Sequence, residues 1–293
     1  MADQMNRSGQ RVQPESRTPN AESFSQPEVS QPIGADLDRR PVKIDIDGVR
    51  LVYQRSRGGD LEVLQRLSLK IHDREFMTLV GASGCGKSTL LNIVAGLLPP
   101  TQGHILIKGQ PVTHPGPDRV MVFQDDAVFP WYTVRQNVEY GLRVAGLSRP
   151  ECDERATHYL QLTGLTDFEH AYPRELSGGM RKRVDLARAL ATMPEVILMD
   201  EPFAALDVMT KEGLQVEFAN IWQQLQMTVL FVTHDIEEAL FMADRVAVMA
   251  PNPGRIKRIV DVPFPRPRDV DLKTDAVFQA LRRELTHELR TSP

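Results

Sequence analysis

Short apolar runs alternate with amphipathic stretches along most of the chain, and their spacing predicts the elements. VKIDIDGVRLVYQ, starting at Val42, alternates around Asp47-Gly48 and reads as strands about a turn. Arg57-Gly58-Gly59-Asp60 marks a second turn before the strand-like LEVLQRLSLKI. FMTLV, Phe76 to Val80, is a short apolar strand. A helix near 88–98, strands at 104–108 and 119–123, and mainly helical sequence from 133 to about 192 follow. Strand 196–199, helix 209–225, strand 228–232, helix 235–242 and strand 245–249 complete the series. Apolar strands alternating with helices predict an α/β fold with a parallel sheet covered on both faces. The long helical stretch interrupts that rhythm and predicts a helical subdomain at about 125–192. Near the end, Val277, Leu281, Leu285 and Leu289 recur four apart. They predict an amphipathic helix within 273–290 that packs on the same domain.

Residues 1–40 break the pattern. They are rich in Ser, Gln and Pro, and Phe24 is their only aromatic residue. Such a stretch buries too little apolar surface to offset its ordering entropy, which predicts a disordered tail. The whole chain has 293 residues, a prior of one or two domains. Its net charge of -4 argues against a generally basic nucleic-acid binder and against a polybasic lipid-binding patch. The 41% hydrophobic and 25% charged residues fit a globular protein with a sizeable core. No apolar run approaches the ~18–20 residues that span a bilayer, and no secretory leader is visible. Cys85 and Cys152 cannot form a disulfide framework and suit a reducing cytosol. No Cys/His cluster suggests a metal centre.

The first chemistry-bearing motif follows FMTLV directly. GASGCGKST runs through Gly81, Ala82, Ser83, Gly84, Cys85, Gly86, Lys87, Ser88 and Thr89, and fits G-x-x-x-x-G-K-[ST] between a strand and a helix. Glycines let backbone N–H groups turn inward as an anion nest, and the helix N-terminus adds partial positive charge. Lys87 offers a point charge to the β- and γ-phosphates of ATP, and Ser88 a hydroxyl to Mg²⁺. Cys85 reads as a small filler, with a redox-sensitive thiol as the weaker alternative.

VILMDEP places Asp200 and Glu201 at the end of an apolar strand, where ligands bind in open α/β sheets. Asp200 is then positioned to hold Mg²⁺, directly or through water, and Glu201 to polarise an attacking water. Alone this is an acidic loop after a strand. Downstream of GKST it becomes the second half of one ATP site.

A third motif, LSGGMRKRVDLARAL, spans Leu176 to Leu190. Together with GASGCGKST, Gln124, VILMDEP, the ALD at 205–207 and His234, it resembles the ordered motif set of ATP-binding cassette (ABC) ATPases. The resemblance covers about residues 42–262. It implies a P-loop core with an antiparallel β subdomain and an α-helical signature subdomain. The expected domain spans 41–265, with a C-terminal helical extension at 266–293. Ser177, Gly178 and Gly179 open a predicted helix, which makes a second anion site. Two phosphate-binding elements for one nucleotide point to a symmetric dimer in which each signature covers the partner's ATP.

Remaining roles are implied by the resemblance. Tyr53 matches the aromatic residue that stacks on adenine; packing in the strand's core is its alternative. Gln124 matches the glutamine that senses Mg²⁺ and the attacking water, Asp207 the loop that crosses the dimer interface, and His234 the histidine at the γ-phosphate. Met180 stands where many members carry Gln, and Ala204 where Ser or Gly is commoner; neither removes a catalytic group, and hydrolysis is expected.

FQDDAVFPW, the signature and PNPGRI (251–256) look like ATPases of the nitrate/sulfonate/taurine uptake group. That likeness implies an ATP-hydrolysing subunit on the cytoplasmic face of the membrane. Its partners would be integral-membrane permease subunits, an extracytoplasmic solute-binding protein reached through them, and a second ATPase subunit, identical or paralogous. Phe129, Pro130, Trp131 and Tyr132 form an apolar cluster able to receive a permease helix, local core packing being the other reading. A soluble, non-transport ABC ATPase and a nucleotide-gated module without turnover are the alternatives. Glu201, Gln124 and His234 argue against the latter.

Overall fold

The structure, a computed structural model, describes residues 37–54 and 59–290. Most of the expected tail and the Arg57-Gly58 part of the second turn lie outside the described residues. The described residues begin before the expected boundary at 41: Leu37–Arg39 form a 3-10 turn with Leu37 buried.

β1 (Val42–Tyr53) runs antiparallel to β2 (Leu61–His72). The expected turn at Asp47-Gly48 is not a hairpin. β1 passes through it as one strand, with register shifts between Ile46 and Val49 and a positive φ of 57° at Gly48. Its other edge pairs with β4 (Gln102–Ile107), which continues into the short β5 (Gln110–Pro111), giving an antiparallel sheet in the order β2-β1-β4-β5.

β3 (Phe76–Gly81), β6 (Arg119–Val122), β7 (Val196–Asp200), β8 (Thr228–Thr233) and β9 (Arg245–Ala250) form the parallel sheet that the apolar runs predict. β10 (Arg255–Asp261) adds an antiparallel edge, in the order β10-β9-β3-β8-β7-β6. The pleat sorts the side chains into two cores with period two. Met77, Leu79, Val196, Leu198, Leu230, Val232, Ala247 and Met249 face the antiparallel sheet and α1 (Lys87–Ala95). Phe76, Val80, Ile197, Met199, Val229, Phe231, Val246 and Val248 face the remaining helices. There Phe76 packs edge-on to Trp222, with ring centroids 5.6 Å apart, and against Phe218 and Phe231. Fully burying one such side chain stabilises the fold by about 1.5–3 kcal/mol.

The helical stretch resolves into α2 (Val134–Val144), α3 (Arg149–Leu162) and α4 (Gly178–Ala191). Thr133 and Gln136 close a reciprocal capping box at the start of α2, as Ser148 and Glu151 do for α3. α4 packs against both α2 and β6, so it joins the helical layer to the sheet. α5 (Val208–Leu225), α6 (Ile236–Met242) and α7 (Ala276–Arg290) cover the same face. In α7 the buried stripe is Phe278, Leu281, Leu285 and Leu289. Val277, expected on that stripe, is 58% exposed.

Candidate functional site

Strand order brings the motifs together. β3, β8 and β7 are neighbours in the parallel sheet, so their carboxyl ends place Gly81, Thr233 and Asp200 along one edge. The residues that follow them, together with Gln124 after β6 and Val63 from β2, line a single open cleft of about 540 Å³: Ser83, Gly84, Gly86, Lys87, Ser88, Thr89, Glu201 and His234.

Gly86 caps the N-terminus of α1 with φ 98°, and no side chain caps the first turn, so its N–H groups stay available to an anion. A Cβ at Gly86 would also stand 2.7 Å from Leu64 Cδ2. The Lys87 ammonium donates to the carbonyls of Gly81 at 2.9 Å and Ala82 at 3.1 Å, which fixes it across the loop. Gly81, Ala82 and Cys85 do not line the cleft. Cys85 is 1% exposed, and burial pushes its thiol up, away from the reactive thiolate form. The filler reading therefore fits and the redox-sensitive reading does not.

Ser88 Oγ donates to Asp200 Oδ1 at 2.9 Å. Burial pushes the Asp200 carboxyl above its usual range, and the Ser88 hydrogen bond opposes that shift. Among the described residues no group of three or more His, Cys, Asp or Glu side chains could hold a metal ion. The hydroxyl and carboxylate oxygens of Ser88 and Asp200, with the Gln124 amide in the same cleft, are hard donors. They fit Mg²⁺, which takes one or two carboxylates and completes its shell with phosphate and water.

Glu201 sits in the left-handed region at φ 44°, which costs about 1–2 kcal/mol for a residue with a Cβ. Its N–H donates to Val232 O at 2.9 Å, anchoring that conformation to β8. Its Oε2 lies 2.7 Å from His234 Nδ1, so the carboxylate and imidazole form a dyad at the mouth of the cleft.

Other expected site residues lie elsewhere in this single chain. Ser177 caps α4, its hydroxyl accepting from Met180 N–H at 3.3 Å; Gly178 and Gly179 form the first turn, with Gly179 buried. Asp207 caps α5 by accepting from Thr210 N–H at 3.1 Å, and its bonds to Thr210 hold the carboxyl below the usual range. None of these four lines the cleft. Tyr53 does not line it either. At 44% exposed and at the end of β1, it is not a core aromatic, which removes that alternative.

Two contacts were invisible in the motif pattern. Lys182, 1% exposed on α4, donates to the carbonyls of Phe123 at 3.1 Å and Gln124 at 3.2 Å, tying the signature helix to the glutamine loop. Gly254 N–H donates to Val63 O at 2.8 Å, and a Cβ at Gly254 would stand 2.2 Å from Cys85 O. The glycine of PNPGRI thus lies directly against the phosphate loop. Lys182 shares its buried helix face with Asp185, so spacing did not single it out, and PNPGRI entered only as part of a resemblance, with no contact implied.

The protein-family profile for ABC transporters matches residues 64–204. The nitrate import ATP-binding protein of Synechocystis sp. is 47% identical over 253 residues, covering 84% of this chain and 95% of that protein. The taurine import ATP-binding protein of Rhizobium johnstonii is 48% identical, covering 76% and 85%. An uncharacterised ABC transporter ATP-binding protein of Methanocaldococcus jannaschii is 44% identical, covering 86% and 93%. Among solved structures, a dimeric ATP-binding cassette in a post-hydrolysis state bound to ADP and Pi is 31% identical with a TM-score of 0.65, covering 75% of this chain and 98% of that one. At these identities and coverages, the chain belongs to the ABC transporter ATP-binding subunits, in the group that includes the nitrate and taurine import proteins.

Proposed function

We propose that this chain binds and hydrolyses ATP to energise an importer for a small anion of the nitrate, sulfonate or taurine type. The observation that carries the reading is the Glu201–His234 dyad at 2.7 Å in the same cleft as Lys87 and Ser88. Lys87 and the N-terminus of α1 bind the phosphates. Glu201, as carboxylate, accepts a proton from the attacking water, and His234 holds that carboxylate in place while contacting the γ-phosphate. Gln124 orients the water. Ser88, Asp200 and Gln124 would hold Mg²⁺, which would neutralise phosphate charge. Tyr53 stacks on adenine.

The two anion-binding helix starts lie apart in one chain, since Ser177, Gly178, Gly179 and Asp207 do not line the cleft. A head-to-tail dimer would bring the partner's signature over each ATP and complete both sites. The pair is identical or paralogous. We assign 41–265 to the nucleotide-binding domain, about 125–192 to its helical subdomain and 266–293 to a C-terminal extension. Among the described residues no helix is long and apolar enough to cross a membrane. Attachment at the cytoplasmic face would therefore run through permease subunits, with the extracytoplasmic solute-binding protein reached through them.

The permease would dock beside the glutamine loop. A groove of about 360 Å³ there is lined by Ala127, Phe129, Tyr140, Arg188 and Thr192. Trp131, 65% exposed, stands beside it with its ring 5.6 Å from Phe129. This exposed aromatic favours a membrane partner over the soluble-ATPase alternative. Affinity purification of the chain from detergent-solubilised native membranes tests the reading. A polytopic permease should co-purify. Recovery of soluble partners alone, with the chain absent from membranes, would refute transport while leaving the ATPase chemistry intact.

A further inference from the structure

The segment after Val262 makes a set of contacts that the ATP site alone does not require. α6 begins immediately after His234 and is only seven residues long, too short to hold its own position by helical hydrogen bonds. At its C-terminal end, Arg268, 5% exposed, donates to the carbonyls of Leu240 at 3.2 Å, Phe241 at 2.9 Å and Ala243 at 2.8 Å. Arg266 donates to Met242 O and to Asp244 Oδ1, the latter at 3.0 Å. These guanidinium groups satisfy the carbonyls that a helix end leaves unpaired. At its N-terminal end, Glu237 pairs with Lys273 at 3.6 Å and Arg282 at 3.5 Å. The C-terminal segment thus grips, at both ends, the helix that follows His234.

Lys273 also reaches the neighbouring helix. Its ammonium lies 2.9 Å from Glu212 Oε1 and 3.4 Å from Gln215 Oε1, both on α5, and 5.3 Å from the centre of the Phe241 ring. α5 is the helix that Asp207 caps. Lys211 of α5 returns the connection, at 2.9 Å from Asp235 and 3.4 Å from Glu238. A cavity of about 260 Å³ lined by Ala204, Leu206, His234 and Lys273 runs between the interface loop, the histidine and this lysine.

We propose that Lys273 is a positioning residue for ATP hydrolysis: by joining α5 to α6 it makes the interface loop ending at Asp207 and the histidine-bearing loop move as one unit. This rests on the assignment of His234 to the γ-phosphate. Dimer closure then reaches His234 through α5, Lys273 and α6. Without the lysine, Glu212 and Glu237 lose their shared cation, and the link between the two loops is left to Lys211 and to the Gln215–Glu238 hydrogen bond at 2.9 Å, a looser coupling. Lys273 does not line the phosphate cleft, so ATP binding does not depend on it.

The test is steady-state ATP hydrolysis by the full chain carrying Lys273→Met, which keeps an unbranched side chain of similar length and removes the charge. kcat is expected to fall between about 3- and 30-fold with KM for ATP unchanged, the usual range for a coupling residue. Lys273→Arg should restore most of it, because it restores the cation. A merely structural role would lower folded fraction and melting temperature, and the loss would track them. An unchanged kcat in Lys273→Met, or a kcat and KM that shift together, overturns the proposal. His234→Ala is run in parallel. Full turnover in His234→Ala would refute the site assignment itself; loss of turnover there with no effect of Lys273→Met would refute this inference alone.

Discussion

Gly254→Ala tests the claim that the PNPGRI turn buttresses the phosphate loop. The added methyl would stand 2.2 Å from Cys85 O and 3.0 Å from both Val63 O and Leu64 Cδ2. Two of those three atoms are backbone, one of them in the loop itself, so a rotamer change cannot relieve the clash. Overpacking of this kind costs about 1–3 kcal/mol. If the phosphate loop yields, the whole cost falls on its anion-binding geometry, and Kd for ATP rises about 5- to 150-fold. Gly213→Ala is the matched control: nothing lies within 4 Å of its Cβ, and it sits inside α5. There the alanine should stabilise by about 0.5–1 kcal/mol without touching nucleotide affinity. Titration calorimetry with ATP, alongside thermal melting of both variants, gives the two quantities. A Gly254→Ala protein with unchanged affinity and unchanged melting temperature would refute the buttress.

Three further outcomes are expected. Glu201→Gln should retain ATP binding while turnover drops about 10²- to 10⁴-fold, read by phosphate release. Asp235→Asn keeps the cap of α6 but removes a charge. Burial opposes ionisation of Asp235, yet its bonds to Lys211 and to backbone N–H groups hold the carboxyl below its ordinary 3.8. A depressed folded value means this stability is present at neutral pH and is lost as pH falls through the folded value, below 3.8. The melting temperature of the unaltered protein should therefore fall more steeply than that of Asp235→Asn below about pH 4. Trp131→Ala should hydrolyse ATP normally as an isolated chain and co-purify poorly with its permease.

The phosphate loop, the carboxylate strand and the histidine were legible because each is a local pattern whose chemistry demands its neighbours. Gly86, Lys87 and Ser88 work through one strand–loop–helix unit, and strand adjacency carries Asp200, Glu201 and His234 to the same edge. What sequence could not show was set by contacts across the fold. β10 was missed because RIKRIVD buries only Val260 and carries three basic residues, so it offers no apolar run. The Asp47-Gly48 turn was misread because local hairpin chemistry was overridden by two partners, the twelve-residue β2 and the six-residue β4, which pair along β1 on either side of the irregularity. Val277 sits on the expected stripe by spacing alone, but the buried position beside Phe264 is taken by Phe278, with ring centroids 5.6 Å apart. Gly254 and Lys182 act on backbone carbonyls far away in sequence, which no motif encodes.

The central claim is that each ATP site is built from two chains. Lys87→Ala removes the phosphate-binding lysine, and Ser177→Arg obstructs the signature. Each variant alone should be inactive in phosphate release. Mixed in equal amounts and allowed to exchange, half of randomly formed dimers carry one intact site of two, so about a quarter of the unaltered turnover should return. No recovery in a mixture shown to contain mixed dimers, or full turnover by either variant alone, would contradict a site shared across the dimer.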